Sequence, residues 1–267
     1  MKYLKKYLKL LKVSIMTALM HRYHFLFSTI SNVLYIVLIY NLWNAIFSNS
    51  NGQINGMNFD SVFLYLALAA SMFWLYQTWT EWEISRNVIS GFVVIQLLRP
   101  LQYQTQLFFY SFGTIISNML LIVIPSFIFI DLIYHTQFHI GPNIPFFLIS
   151  LFLGFLLSFQ IDFITGLCSF YTQSIWGISM TKEVIILVLS GSIIPIKLFP
   201  GFLQNIVQYL PFPHIYNTPI QILITPDLTN TQILTMLFLQ VLWVIVFYLI
   251  SRFFFYRAVR SVTINGG

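Results

Sequence analysis

Charge is what this sequence has least of. Asp, Glu, Lys and Arg together make up 7% of its 267 residues, against roughly a quarter in soluble domains. So few charges cannot cover a water-exposed surface, which excludes a soluble fold. Cysteine occurs once, as Cys168 inside an apolar run, and this excludes an internal disulfide and any metal site built from cysteines. No G-x-x-x-x-G-K-[ST] phosphate loop is present, so the chain cannot hydrolyse ATP by the P-loop route. H-E-x-x-H and G-x-S-x-G are missing too, and with them two common signatures of intramembrane hydrolases.

What is present is apolar. Hydrophobic residues reach 58%, with 28 phenylalanines and a mean hydropathy of +0.82, a composition that asks for lipid as solvent. The expected fold class is an all-α membrane protein, one transmembrane domain over residues 1–267 with no soluble appendage. The formal charge of +6 could suggest nucleic acid. However, the basic residues fall in short clusters between apolar runs rather than along one polar face. Membrane lipid, anionic phospholipid in particular, is the partner they fit; nucleic acid is not.

A helix needs about 20 apolar residues to cross a hydrocarbon core of roughly 30 Å. Six runs qualify, at 24–47, 61–79, 105–134, 146–170, 183–198 and 232–254. The third is expected to bend at Pro125, and the fifth is short and interrupted by Gly191 and Pro195. Cytoplasmic loops retain lysine and arginine during insertion. An inside N-terminus places Lys2, Lys5, Lys6, Lys9, Lys12, Arg22, Arg86, Arg99, Lys182, Arg252, Arg257 and Arg260 in the cytoplasm and leaves Lys197 alone outside. The expected arrangement is therefore multi-pass in the cell membrane, with both termini cytoplasmic and outer loops at 48–60 and 135–145.

Residues 1–22 form a second kind of element. At 100° per residue, Tyr3, Leu4, Tyr7, Leu8 and Leu11 share one face and the five lysines take the other. This pattern predicts a basic amphipathic helix in the cytoplasmic interface rather than a cleaved signal. Between Pro195 and Pro226 the chain carries Pro195, Pro200, Pro211, Pro213, Pro219 and Pro226, a density that forbids one continuous helix. The same stretch is too apolar for a solvated loop. Short helical pieces dipping back into the outer leaflet, or covering a cavity, are expected there.

Asp131, His135 and His139 are spaced four apart and could share a helix face as metal ligands. Gly141 and Pro142 follow at once, where helicity should be ending, so histidines of an interfacial loop are the preferred reading and no metal is assigned. His214, beside Pro213, has no visible partner.

Three segments, taken in order, carry a resemblance. They are EISRNVISGFVVIQLLRP at 83–100, LSGSIIPIKLFP at 189–200, and Leu210-Pro211-Phe212 followed by Pro219. Together they resemble the membrane subunits of type-2 ABC exporters, in the bacterial branch whose permeases hold one six-helix domain and no ATPase. The resemblance covers nearly the whole chain, although the aromatic cluster before the fifth helix is thinner here, at Phe170, Tyr171 and Trp176.

The resemblance implies a permease subunit that is not itself an enzyme and alternates access for efflux of an amphiphilic drug, peptide or lipid-like molecule. It implies no cofactor in this chain, with ATP and Mg held by a separate ABC ATP-binding subunit. That subunit would dock on the loop between the second and third helices, at residues 80–91, with Glu81, Glu83, Arg86, Ile89 and Gly91 in the coupling segment. It also implies a second permease copy or a related permease beside this one. A path between two such halves would be lined by polar residues of crossing helices, and Asn32, Asn118, Gln160 and Asp162 stand at that depth. Asp162 is the sharpest of them, because a carboxylate inside a membrane helix costs around 3 kcal/mol on insertion scales and so faces protein or water. It would serve cation recognition, a gating hydrogen bond, or a structural bond to a neighbouring helix. The competing classes are a polytopic membrane enzyme or assembly factor and an ATP-independent secondary transporter. The inverted repeats that favour the last are not visible between the halves.

Overall fold

The computed structural model describes residues 2–48, 53–54, 56–134, 143–225 and 227–260, and within them the chain is helical almost throughout. Five stretches are long and apolar enough to cross a membrane: Arg22–Ser48, Phe59–Ile89, Tyr103–Ile133, Ile144–Phe170 and Asn230–Arg260. Helix α1 (Lys2–Met20) precedes α2 (Arg22–Ser48). Part of the expected outer loop at 48–60 is a two-stranded hairpin, Gln53–Ile54 against Met57–Asn58. The Asn58 side chain then accepts from the Ser61 backbone N–H at 3.0 Å, which caps the start of α3.

The second run is not one rod. Helix α3 (Phe59–Tyr76) stops, Gln77, Thr78 and Trp79 are non-helical, and α4 (Thr80–Ile89) continues, followed by a short α5 (Val93–Leu98). The loop expected from residue 80 onward is therefore largely helix. The third run is α6 (Tyr103–Asn118), a π-helical turn Met119–Val123, and α7 (Ile124–Tyr134). The expected bend at Pro125 takes this form for a local reason. Proline has no N–H to give to the carbonyl four residues back, and that carbonyl, Leu121 O, is taken instead by the Thr29 hydroxyl of α2 at 2.7 Å.

Helix α8 (Ile144–Leu167) is the hub, packed by α4, by the last helix, and by α11 (Asn217–Ile224). Aromatic rings mark its seam with α6: Phe108 stacks on Phe155 at 5.6 Å and meets Phe159 edge-on at 5.5 Å. The last helix, α12 (Asn230–Arg260), joins this seam through Phe255, 5.9 Å from Phe163.

The expected run 183–198 is corrected at both ends. Helix α9 spans Trp176–Leu189, so Lys182 lies inside a helix rather than at the end of a polar segment. The chain turns just beyond it at Gly191, whose φ of +81° is a left-handed conformation suited to glycine. A 3-10 turn Ile196–Leu198, then α10 (Gly201–Val207), a second 3-10 turn Phe212–His214 and α11 follow, as the proline density requires. Residues 214–215 press into the interior. A Cβ on Gly154 of α8 would lie 2.9 Å from the Ile215 carbonyl. Gln240 of α12, fully buried, donates at 2.8 Å both to the His214 carbonyl and to the Ser150 carbonyl of α8.

Helix α1 does not lie apart from the bundle. It runs along α6, with Tyr7 stacked on Phe109 at 5.2 Å and Ser14 bonded to Thr114 at 3.0 Å, while Lys5, Lys9 and Lys12 stay exposed.

Candidate functional site

The strongest polar constellation forms where α4, α8 and α9 meet. Lys182 of α9 donates to Glu81 of α4 and, at 2.8 Å, to Asp162 of α8. The other Glu81 oxygen accepts from the Ser179 hydroxyl, one turn before Lys182 on α9. The Lys182, Glu81 and Asp162 side chains are only 14%, 6% and 12% exposed. Three helices that are remote in sequence are thus tied by one ammonium. Buried charges persist only when paired and hydrogen-bonded, and each member here meets that condition through another helix.

Local sequence explains how the backbones come so close. Gly166 of α8 faces α4, where an added Cβ would sit 2.7 Å from the Ile84 side chain and 3.1 Å from the Glu81 Cα. We expect Gly166→Val to force α4 away, lengthen the Glu81–Lys182 contact and lower the thermal midpoint of the purified protein by several degrees, a loss typical of overpacking. An unchanged melting curve by intrinsic fluorescence would contradict this packing.

The α3/α4 break is also built deliberately. Trp79, a non-glycine residue, has φ +56°, a strained conformation of the kind that concentrates at functional positions. The Asn118 amide of α6 donates to Trp74 O at 2.9 Å and lies 3.2 Å from the Leu75 and Gln77 carbonyls, capping the carbonyl end of α3. A hydroxyl chain, Thr78 to Thr80 at 2.8 Å and Thr80 to Ser111 at 2.7 Å, fastens the start of α4 to α6. On one side of the break is a small cavity of about 50 Å³ holding Glu81, Asp162, Lys182 and Glu183, with Tyr216 from the segment before α11. On the other side is a larger cleft of about 670 Å³ among α1, α2, α4, α5 and α6. Gln77, Thr78 and Trp79 line both.

The residues singled out from the sequence divide accordingly. Of the five in 80–91, Glu81 turns inward and is bonded within the chain, Glu83 is half-buried in the wall of the larger cleft, and Arg86, Ile89 and Gly91 are exposed. Of the four polar residues of crossing helices, Asp162 joins Glu81 through Lys182, and the others stand apart. Asn32 is buried with its amide 3.4 Å from the Ser71 hydroxyl of α3. Asn118 caps α3. Gln160 accepts from Gln104 of α6 at 2.8 Å, and Gln104 also donates to Ser251 of α12 at 2.9 Å. His135 and His139 lie outside the described residues, and no metal-binding group of three appears among those described.

Sequence reading missed Ser179 and the part played by Lys182, which it counted as a loop cation. A signal was present nonetheless. Asp162 needed a cation within reach, and Lys182 stands at the mouth of the next apolar run.

The helices describe a multi-pass membrane protein whose second apolar stretch is broken at residues 77–79 and tied within the bundle by Lys182. Residues 33–266 match the family described as ABC-2 family transporter protein, and the chain belongs to that family. It is accordingly a permease subunit of an ABC transporter, of a kind that generally works with an ATP-binding subunit. No curated protein gives a significant match to the chain.

Proposed function

We propose that this chain is the membrane half of an ATP-driven exporter, moving an amphiphilic substrate out of the cell under the control of a separate ATP-binding subunit that holds ATP and Mg. The reading has six crossings, with α9 as the fifth and 190–224 as a re-entrant hairpin before α12, and both termini cytoplasmic. Transport then takes two such halves, a second copy of this chain or a related permease.

The ATP-binding subunit docks on the end of α4 and the turn after it. Arg86, Ile89 and Gly91 are exposed there, and Phe92, Ile95 and Leu98 extend an apolar patch with 40%, 54% and 80% exposure. Exposed apolar patches of this kind mark interaction sites. Glu83 buttresses the wall behind that patch, and Glu81 carries movement of α4 to α8 and α9. The observation that carries the reading is the hinge and tie together: a helix broken at residues 77–79, with one end exposed and the other bonded to Lys182. Such an element converts a push at one end into a rearrangement at the other. Asp162, within the tie, is the proposed gating carboxylate. Asn32, Asn118 and Gln160 hold the helices that flank the path.

Co-expression with the ATP-binding cassette protein encoded beside it tests the proposal. The two should co-purify, and amphiphilic compounds should stimulate ATP hydrolysis by the pair. Purification of the chain free of that protein, with no stimulated hydrolysis, would refute the reading.

A further inference from the structure

We propose that the larger cleft is a binding site for the headgroup of a zwitterionic phospholipid of the inner leaflet. The cleft holds about 670 Å³, within the range of small-molecule sites, and five helices border it. Its depth fits a headgroup. About twenty residues of helix span the hydrocarbon core, and that count from Phe59 and from Tyr134, the outer ends of the second and third crossings, reaches Trp79 and Thr114. Both line this cleft.

The lining carries the chemistry of a dipolar ligand. Glu83 and Arg86 stand one turn apart on α4, in the same wall; each feels the other's charge, but no salt bridge joins them among the described residues. A cleft that presents one charge of each sign without closing them into a salt bridge is complementary to a group that itself carries one of each. The ammonium of the headgroup lies against Glu83 and its phosphate against Arg86. Asn87 and Tyr110 supply further polar atoms, and the rings of Phe25, Trp79 and Phe92 meet the start of the acyl chains. An anionic lipid with no ammonium leaves Glu83 unmatched and facing like charge. The exposed lysines of α1 still attract such lipids at the surface, so charge alone predicts the opposite preference.

Trp79 and Gln77 line both this cleft and the cavity of the ionic tie, so an occupant of the cleft touches the hinge of α4. The proposal rests on membrane insertion with the N-terminus inside, and Arg86 and Phe92 border both this cleft and the proposed docking surface.

The test uses the full chain in nanodiscs of equal phosphatidylethanolamine and phosphatidylglycerol, with bound lipid read by native mass spectrometry. Phosphatidylethanolamine should be retained over phosphatidylglycerol by about tenfold, the order expected of one extra charge-assisted contact. The pair Glu83→Gln and Arg86→Gln should bring that ratio to about one. Thr17→Trp, which fills the cleft from α1 and leaves Ile89, Ile95 and Leu98 unchanged, should remove the retained lipid and leave association with the ATP-binding subunit intact. Ile89→Glu should do the reverse, so failure of the docking surface and failure of this site are distinguishable. Glycerophosphoethanolamine, the headgroup without chains, displaces the lipid if the headgroup is what is bound. Retention of phosphatidylglycerol to the same extent, or retention of phosphatidylethanolamine unchanged in Thr17→Trp, overturns the proposal.

Discussion

Replacing Lys182 by Met should destabilise the protein by about 3–5 kcal/mol, the loss seen when one partner of a buried ion pair is removed. The reason lies in what remains. Glu81 and Asp162 both turn to this ammonium in surroundings that are 6% and 12% exposed, and without it two carboxylates would face each other with little water. Protonation relieves part of the repulsion but leaves the donors and acceptors mismatched. We expect the thermal midpoint in detergent to fall by roughly 10 °C, with stimulated ATP hydrolysis lost from whatever protein remains folded. Adding Glu81→Gln and Asp162→Asn to the same chain should restore much of the stability, since neutral amides carry no charge penalty. It should not restore coupling if the tie transmits movement. Full stability of Lys182→Met alone would show that the three side chains are not interdependent.

The second large effect is expected at the far end of the same helix. Ile89→Glu with Arg86→Glu places two new negative charges on a surface where both residues are exposed, so folding should change little. Recovery of the ATP-binding subunit in a pull-down should fall by more than tenfold, in keeping with loss of an apolar anchor from an interface. If the complex survives, the docking surface lies elsewhere, and the exposed patch through Leu98 needs another occupant. The two variants separate the ends of the lever: one breaks the tie inside the bundle, the other the handle outside it.

Much of the architecture was legible because hydrophobic length is a coarse signal that tertiary packing rarely overrides. Five of the six expected runs, 24–47, 61–79, 105–134, 146–170 and 232–254, coincide with observed apolar stretches, the third overrunning its stretch by one residue. Pro125 announced a bend, and the proline cluster from Pro195 announced broken helix. Three features were not legible. The break at residues 77–79 contains neither Gly nor Pro. It is imposed from outside by Asn118 and Ser111 on α6, and no local propensity reports a cap supplied from another helix. The start of α9 was placed too late because Lys182 looked like a loop charge, whereas a partner on each of two other helices makes its burial tolerable. The packing of α1 along α6 was hidden because an amphipathic stripe looks the same whether it meets lipid or a neighbouring helix.

The candidate site shows the same division. Asp162 and Glu81 were both picked out, one for its depth and the other for its place in a cytoplasmic connection. Their meeting through a third residue required the fold, because Glu81 and Lys182 are 101 positions apart. Gln160 and Asn118, expected from their depth alone, are bonded to neighbouring helices, as polar side chains in a bundle interior commonly are.

Helix α9 has 14 residues and spans only ~21 Å at the usual rise, while its outward side chains, Met180, Val184, Ile185 and Val188, are apolar and exposed. In the proposed six-crossing arrangement the hydrocarbon core beside it, roughly 30 Å thick, meets a greasy wall shorter than itself, and a bilayer answers such hydrophobic mismatch by pinching inward at a cost of fractions of a kcal/mol per Å. The membrane next to α9 should therefore be thinner than its surroundings, which draws the protein towards thinner regions of the bilayer. It also shortens the distance over which a polar group travelling along that flank would be out of contact with water.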